Sequence, residues 1–287
     1  MPNYLRICSR DVHRIGLGAM RLTGGGVWGD PPDRIQAISL LRQSLEMGVR
    51  FIDTADSYGP NTNEILIRDA LYPYPQDLVI ATKGGLRRPA PGVWENDASP
   101  QSLRRACIGS LNRLDVDCID LYQLHAVDNL VPFEESIGEL SLLQSEGKIR
   151  HIGLSNVSVD HLRIARQMVT VSSVQNKYNL FDRSSELVLA ECSLHGIPFI
   201  PWYPFSAGFH LSETNDSRLD VVHEIAAKYS ASVAQVILAW LLTRSPFTLL
   251  IPGTSSLSHM RANFSAIDIQ LQDIDKAFLD SAWHPAV

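Results

Sequence analysis

The stretch LGAMRLTGGGVWGD, residues 17–30, decides between the two folds that the rest of the chain allows. It follows the first short apolar run. In a doubly wound dinucleotide-binding sheet this position carries a G-x-G-x-x-G turn that opens directly into a helix, because backbone amides there must reach a pyrophosphate. Gly24, Gly25 and Gly26 have the wrong spacing and lead into Trp28 and two prolines. A loop at the mouth of an α/β barrel fits instead, and barrel enzymes place their chemistry on the loops that follow the strands.

Working outward, short apolar β-type runs alternate with stretches of helical spacing, the pattern of parallel βα units. Candidate strands cover residues 14–19, 51–55, 78–83, 118–125, 151–156, 173–178, 198–204 and 249–254. In DRIQAISLLRQSLEMG (33–48), Ile35, Ile38, Leu41 and Leu45 recur three and four apart, Asp33 is placed to cap the start, and Gly48 stands where a helix ends. Similar spacing recurs in SPQSLRRACIGSLNRL, ESIGELSLLQSEGK and DHLRIARQM; residues 219–243 are expected to hold two helices broken near 230–232, and 271–283 a final one. The expected fold is α/β: a (β/α)8 TIM barrel with a short N-terminal β-hairpin and a C-terminal helix outside the barrel, one domain over residues 1–287.

Of the 287 residues, 45% are hydrophobic and 20% charged, and the formal charge is −6 with no basic stripe, so neither a nucleic acid nor a membrane is an expected partner. The opening MPNYLRICSRDVHRIG puts charges where a secretory leader needs its apolar stretch, and a cytoplasmic protein is expected. Cys8, Cys107, Cys118 and Cys192 lie far apart without metal-ligand spacing and read as buried, inert thiols, with no metal site.

Ionisable residues stand at the carboxyl ends of several candidate strands: Asp53 in FIDTADSYG, Tyr58 five residues on, Lys83 at the end of LVIATK and His125 at the end of CIDLYQLH. A carboxylate inside an apolar strand is costly without a partner, and Lys83 supplies one. A Tyr hydroxyl is a poor acid near neutrality unless a neighbouring ammonium stabilises its phenolate. Together the four make a device for reducing a carbonyl: Asp53 holds Lys83, Lys83 tunes Tyr58, His125 hydrogen-bonds the substrate oxygen and Tyr58 delivers the proton.

FIDTADSYGPNTNE, VIATKGG, YQLHAVD, GKIRHIGLSN, VQNKYN and IPGTSS occur in the order and spacing of the aldo-keto reductase superfamily, which the chain resembles over essentially its whole length. The resemblance implies that Asp53, Tyr58, Lys83 and His125 are the catalytic tetrad. It implies NADP(H), with NAD(H) as the alternative, held by Gly18, Ala19, Met20 and Asp53 and by Ser155, Asn156 and Gln175 at the carboxamide. Trp202 stacks on the nicotinamide in this reading, beside Tyr203, Pro204 and Phe205. Gly253, Thr254, Ser255, His259 and Asn263 take the adenosine end, where a helix N-terminus favours an anion. Members with a Lys near Gly253 and an Arg near His259 differ from this chain, and Arg261 is a candidate to compensate.

The resemblance is greatest to a bacterial branch that includes pyridoxal reductases, which makes pyridoxal the leading carbonyl substrate, ahead of sugar ketones and generic aldehydes. Trp28 and Trp94, with Tyr58 and His125, are expected to line the substrate pocket, and Arg87 and Arg88 are candidates to meet an anionic group or to lie solvated on the rim. The tail ending AWHPAV reads as too short for an extended lid. A monomer or small homo-oligomer is expected. The alternative function is a cofactor-binding auxiliary subunit with little turnover, as some members serve ion channels.

Overall fold

The computed structural model describes residues 2–205 and 218–283. The chain opens with β1 (Tyr4–Ile7) and β2 (Arg10–His13), an antiparallel hairpin turned at Cys8 and Ser9, both with positive φ. Next come β3 (Leu17–Gly18), α1 (Arg34–Glu46), β4 (Phe51–Asp53), α2 (Thr62–Leu71) and β5 (Val79–Gly84). A ribbon of β6 (Leu86–Arg87) and β7 (Glu95–Asn96) leads to α3 (Pro100–Leu114), β8 (Ile119–Leu124), α4 (Phe133–Ser145), β9 (Ile149–Ser155) and α5 (Val159–Met168). The remainder is β10 (Val171–Lys177), α6 (Glu186–Leu194), β11 (Phe199–Trp202), α7 (Arg218–Lys228), α8 (Val233–Thr243), α9 (Leu257–Ser265) and α10 (Asp273–Trp283).

Seven parallel strands pair in the order β11-β10-β9-β8-β5-β4-β3. The expected eighth strand at 249–254 forms no regular run, yet its backbone joins both edges: Thr248 bridges Phe199, Leu250 bridges Ile15 and Gly253 bridges Gly18. Leu249 N donates to Phe199 O at 2.9 Å and Leu250 N to Arg14 O at 2.8 Å, so the ring is closed. The first strand is correspondingly shorter than the expected 14–19.

Alternation along the strands sorts the core into an inside and an outside. Phe51, Val79, Ala81, Leu121, Ile200, Leu249 and Ile251 form one interior cluster with Leu5, Ile7, Cys8 and Val12 of the hairpin. Ile52 and Ile80 point the other way, against Leu40 and Leu41 of α1 and Leu66 and Ile67 of α2. Because the interior cluster draws on the first residues of β4 and β5, the hairpin plugs the N-terminal end of the barrel and leaves the carboxyl ends of the strands open.

Asp33 caps α1, its Oδ1 accepting from Gln36 N at 2.8 Å. The buried face of α1 differs from the expected stripe: Ala37, Leu40, Leu41 and Ser44 are buried, whereas Ile35 is 82% exposed. The stripe chosen from large side chains was rotated, because small Ala37 and Ser44 take the closest approach. The break between α7 and α8 is real, with Ser230 at positive φ and a capping box of Ser232 and Gln235. The final helix α10 docks outside the barrel, Asp280 accepting from Trp240 Nε1 and Arg244 and Asp275 accepting from Lys228. Cys8, Cys107 and Cys192 are buried, their thiols pushed up to about 12 mainly by burial, but Cys118 is only half-buried. No single described helix is long and apolar enough to cross a membrane.

If the hairpin is a plug, truncating it opens a cavity beneath Phe51 and Val79. Ile7→Ala is expected to lower unfolding free energy by about 2–5 kcal/mol in urea titration; a loss of a few tenths would show that the hairpin lies on the barrel without closing it.

Candidate active site

The interior stripe that is apolar at the bottom of the barrel becomes polar at the top. Phe51 is followed inward by Asp53, Val79 and Ala81 by Lys83, Leu121 by Gln123 and His125, and Ile200 by Trp202. Lys83 is fully buried and Asp53 only 2% exposed. The Lys83 ammonium donates to Asp53 Oδ2 at 2.7 Å and Thr54 O at 2.9 Å, and lies 3.3 Å from the Tyr58 hydroxyl. The other carboxylate oxygen of Asp53 accepts from Gln175 Nε2 at 2.8 Å and Gln123 Nε2 at 3.1 Å. A buried ion pair persists only when its remaining lone pairs are satisfied, and the two amides do this.

Gly153 makes room for one of them. A Cβ there would lie 2.7 Å from Gln123 Cγ and 2.6 Å from Ser173 Oγ, so only glycine on β9 lets Gln123 reach across to Asp53.

Burial lowers the affinity of Lys83 for its proton, but Asp53 and then Tyr58 outweigh it and the ammonium is held above its ordinary pKa. Tyr58 departs from expectation. Burial raises its pKa, and the opposing pull of Lys83 does not cancel the rise, so the free chain keeps the phenol protonated. Burial, with Lys83 adding to it, holds His125 well below its ordinary value, so the ring is neutral. Its Nδ1 lies 3.3 Å from Ser57 Oγ, and the rings of Tyr58 and His125 meet edge to face with centroids 5.9 Å apart.

A cavity of about 520 Å³ opens above this group. Asp53, Tyr58, His125, Ser155, Asn156, Gln175 and Trp202 line it, as do Gly18, Met20, Tyr203, Pro204, Phe205, Gly253 and Trp94. A second cavity of about 650 Å³ shares Met20, Arg21 and Gly253 with the first and carries Thr254, Ser255 and His259. Ala19, Asn263 and Trp28 line neither. The Ala19 carbonyl instead accepts from Asn63 Nδ2, and Trp28 stacks on Arg88. Arg261 also stays outside both cavities, exposed on α9.

Asn156, at φ 57°, donates to His125 O at 2.9 Å and accepts from Trp202 Nε1 at 3.0 Å, which fixes the indole at the cavity wall. At the junction of the cavities a Cβ on Gly253 would meet Arg21 Cγ and Gly18 O at 3.2 Å each, so the missing side chain keeps the passage open. Beyond it the N-terminus of α9, capped by Ser256, faces the second cavity. An apolar chamber with amides at one end and a helix N-terminus at the other fits a dinucleotide laid along both.

Gln123, Ser57 and Arg21 were not singled out from the sequence. Gln123 was legible, since it sits two residues before His125 on the same face of β8. Ser57 lies on a loop and Arg21 ends a single 3-10 turn, Ala19–Arg21, where no periodicity marks which side chains turn inward.

This barrel carries its ionic cluster at the carboxyl ends of the strands, where barrel enzymes place their chemistry. The profile of the aldo/keto reductase family matches residues 14–284, and the chain belongs to that family. An uncharacterised oxidoreductase of Schizosaccharomyces pombe is 45% identical over 94% of this chain and 86% of its own length. Pyridoxine 4-dehydrogenase of Escherichia coli is 40% identical over 97% of both chains. Among solved structures, an aldo/keto reductase of Klebsiella pneumoniae in complex with NADP and acetate superposes with a TM-score of 0.81 at 26% identity, covering 100% of this chain and 97% of that one. The glycerol dehydrogenase of Gluconobacter oxydans gives 0.85 at 25% identity, covering 98% and 94%.

Beside Lys83 lies a further carboxyl, Asp56, whose backbone N donates to Lys83 O. Burial, reinforced by Glu64 and opposed by Arg113, raises Asp56 to about 8, and its Oδ1 has no hydrogen-bond partner among the described residues. The folded chain therefore keeps a proton that the unfolded chain loses near pH 4, so this group's contribution to stability falls as pH rises from about 4 to 8. Asp56→Asn is expected to flatten that slope and to raise stability at pH 8 more than at pH 5 in denaturant titrations; an unchanged slope would show that Asp56 ionises normally.

Proposed function

We propose that the protein is an NADP(H)-dependent carbonyl reductase in which Tyr58 protonates the substrate oxygen, and that pyridoxal is a substrate. The observation that carries the reading is the Tyr58 hydroxyl on the cavity wall, 3.3 Å from an ammonium that Asp53 and Thr54 hold in place. A bound nicotinamide cofactor supplies the hydride. Trp202 is the stacking surface for its ring; Ser155, Asn156 and Gln175 are the polar contacts to its carboxamide; and Thr254, Ser255 and the α9 N-terminus receive its phosphates.

His125 holds the carbonyl oxygen. If the Ser57 hydroxyl donates to Nδ1, the neutral ring carries its proton on Nε2, the donor a carbonyl oxygen needs. As negative charge develops on that oxygen, Tyr58 transfers its proton and becomes a phenolate beside Lys83. The ammonium is worth most at that moment, because it stabilises charge that the ground state lacks. Gln123 and Gln175 keep the second carboxylate oxygen of Asp53 engaged.

Pyridoxal enters the proposal through the 40% identity to pyridoxine 4-dehydrogenase over nearly all of both chains. NADP(H) enters through the Klebsiella pneumoniae complex and the anion-favouring end of the second cavity.

Loss of NADPH absorbance with an aldehyde panel that includes pyridoxal tests the reading. Turnover of pyridoxal is expected, and Tyr58→Phe is expected to lower kcat by about 100-fold or more while leaving NADPH affinity within about twofold. Tight NADPH binding without turnover of any carbonyl would favour the auxiliary-subunit alternative, and near-normal turnover by Tyr58→Phe would remove it as the proton donor.

A further inference from the structure

Arg88 carries a constellation that the tetrad does not use. It is 8% exposed, although it lies on a loop at the barrel mouth. Its guanidinium donates to four backbone carbonyls: Val93 at 3.0 Å, Val27 and Gly26 at 3.1 Å, and Ser57 at 3.4 Å. Its planar group also lies 3.7 Å from the Trp94 ring centroid and 5.5 Å from that of Trp28. One side chain thus ties the loop after β3, the residue before Tyr58 and the β6–β7 ribbon into a single body. Lysine lacks the planar fork that reaches several carbonyls while stacking between rings.

The same contacts occupy the cation. Arg87 is similarly engaged, bound to Glu95 at 3.1 Å and Asp97 at 3.2 Å. Neither arginine lines the cavity. Arg21 does, but at the Gly253 junction, where the two chambers meet. Of the described residues that line the cavity, Arg21 is the one Lys or Arg. What the ribbon presents to the cavity is Leu86, the Trp94 indole and the neutral Asn96.

We infer that Arg88 is a positioning residue which fixes Trp94 as the wall of the carbonyl pocket, and that this wall selects uncharged carbonyl compounds with a flat aromatic body over carboxylated or phosphorylated ones. The inference rests on the carbonyl-reductase reading above and deepens it. Without Arg88 the first loop and the ribbon separate, the indole loses its fixed plane, and an aromatic substrate loses the surface against which it stacks. A short aldehyde reaches Tyr58 and His125 without that surface.

Full-length protein is assayed with NADPH and three aldehydes: benzaldehyde, 4-carboxybenzaldehyde and propanal. Wild type is expected to favour benzaldehyde over its carboxylated analogue by about tenfold or more in kcat/KM. Arg88→Met is expected to raise KM for benzaldehyde about tenfold with kcat changed less than about threefold, leaving KM for propanal and the NADPH Kd from fluorescence titration within about twofold. Arg88→Lys is expected not to restore the benzaldehyde KM, and Trp94→Leu, at a half-exposed position, should reproduce the KM effect even if Arg88→Met fails to fold.

A wild-type preference for 4-carboxybenzaldehyde that Arg88→Met abolishes would overturn the inference, since Arg88 would then bind the anion itself. An unchanged benzaldehyde KM in Trp94→Leu and in whichever Arg88 variant folds would overturn it too. Absence of wild-type turnover on all three aldehydes and on pyridoxal defeats the reductase reading and this inference with it, whereas turnover of pyridoxal without benzaldehyde, or normal wild-type turnover with indifferent variants, defeats this inference alone.

Discussion

A lysine ammonium buried against a carboxylate at the centre of the barrel is the constraint around which the upper half of the molecule is arranged. Burying either charge alone costs several kcal/mol, and removing one partner of such a pair typically costs about 3–5 kcal/mol. The chain meets that demand from several strands at once. Asp53 comes from β4, Lys83 from β5, Gln123 from β8 and Gln175 from β10, while β9 contributes a glycine so that the amide of Gln123 has a path. Backbone pairing sets the register of these strands, and the hairpin packs with the apolar lower layer so that only their carboxyl ends stay open.

From that pair the proposed proton chemistry follows with its sign. In the free chain the dry environment keeps Tyr58 protonated and His125 neutral, and Lys83 pulls Tyr58 toward ionisation without overcoming burial. A donor that holds its proton until charge appears on the substrate oxygen suits reduction. The ammonium then acts on the product of proton transfer rather than on the resting phenol.

Much of this was legible in the sequence, and the limits are physical. Asp53, Lys83 and His125 stand at the ends of apolar runs whose period of two assigns them to the barrel interior, so their convergence followed from counting strands. Tyr58 lies on a loop and was identified through the motif around it. The same periodicity marks Gln123, but an amide carries no charge to set it apart from a packed polar residue. Arg88 was legible only as one of two cations on a loop; that it spends its donors on four carbonyls depends on a loop path no local pattern encodes. The buried stripe of α1 is illegible for a related reason: Ala37 and Ser44, which permit its close packing, are too small to stand out in a hydrophobic pattern.

The central claim is that Lys83 serves the reaction through Tyr58 rather than beside it. A cycle of kcat/KM measurements on wild type, Lys83→Met, Tyr58→Phe and the double variant, with NADPH and pyridoxal, tests this directly. If the two act as a unit, the double variant is no slower than the slower single variant within about threefold. Losses that multiply would contradict the account, because Lys83 would then contribute by a route that does not pass through the phenol.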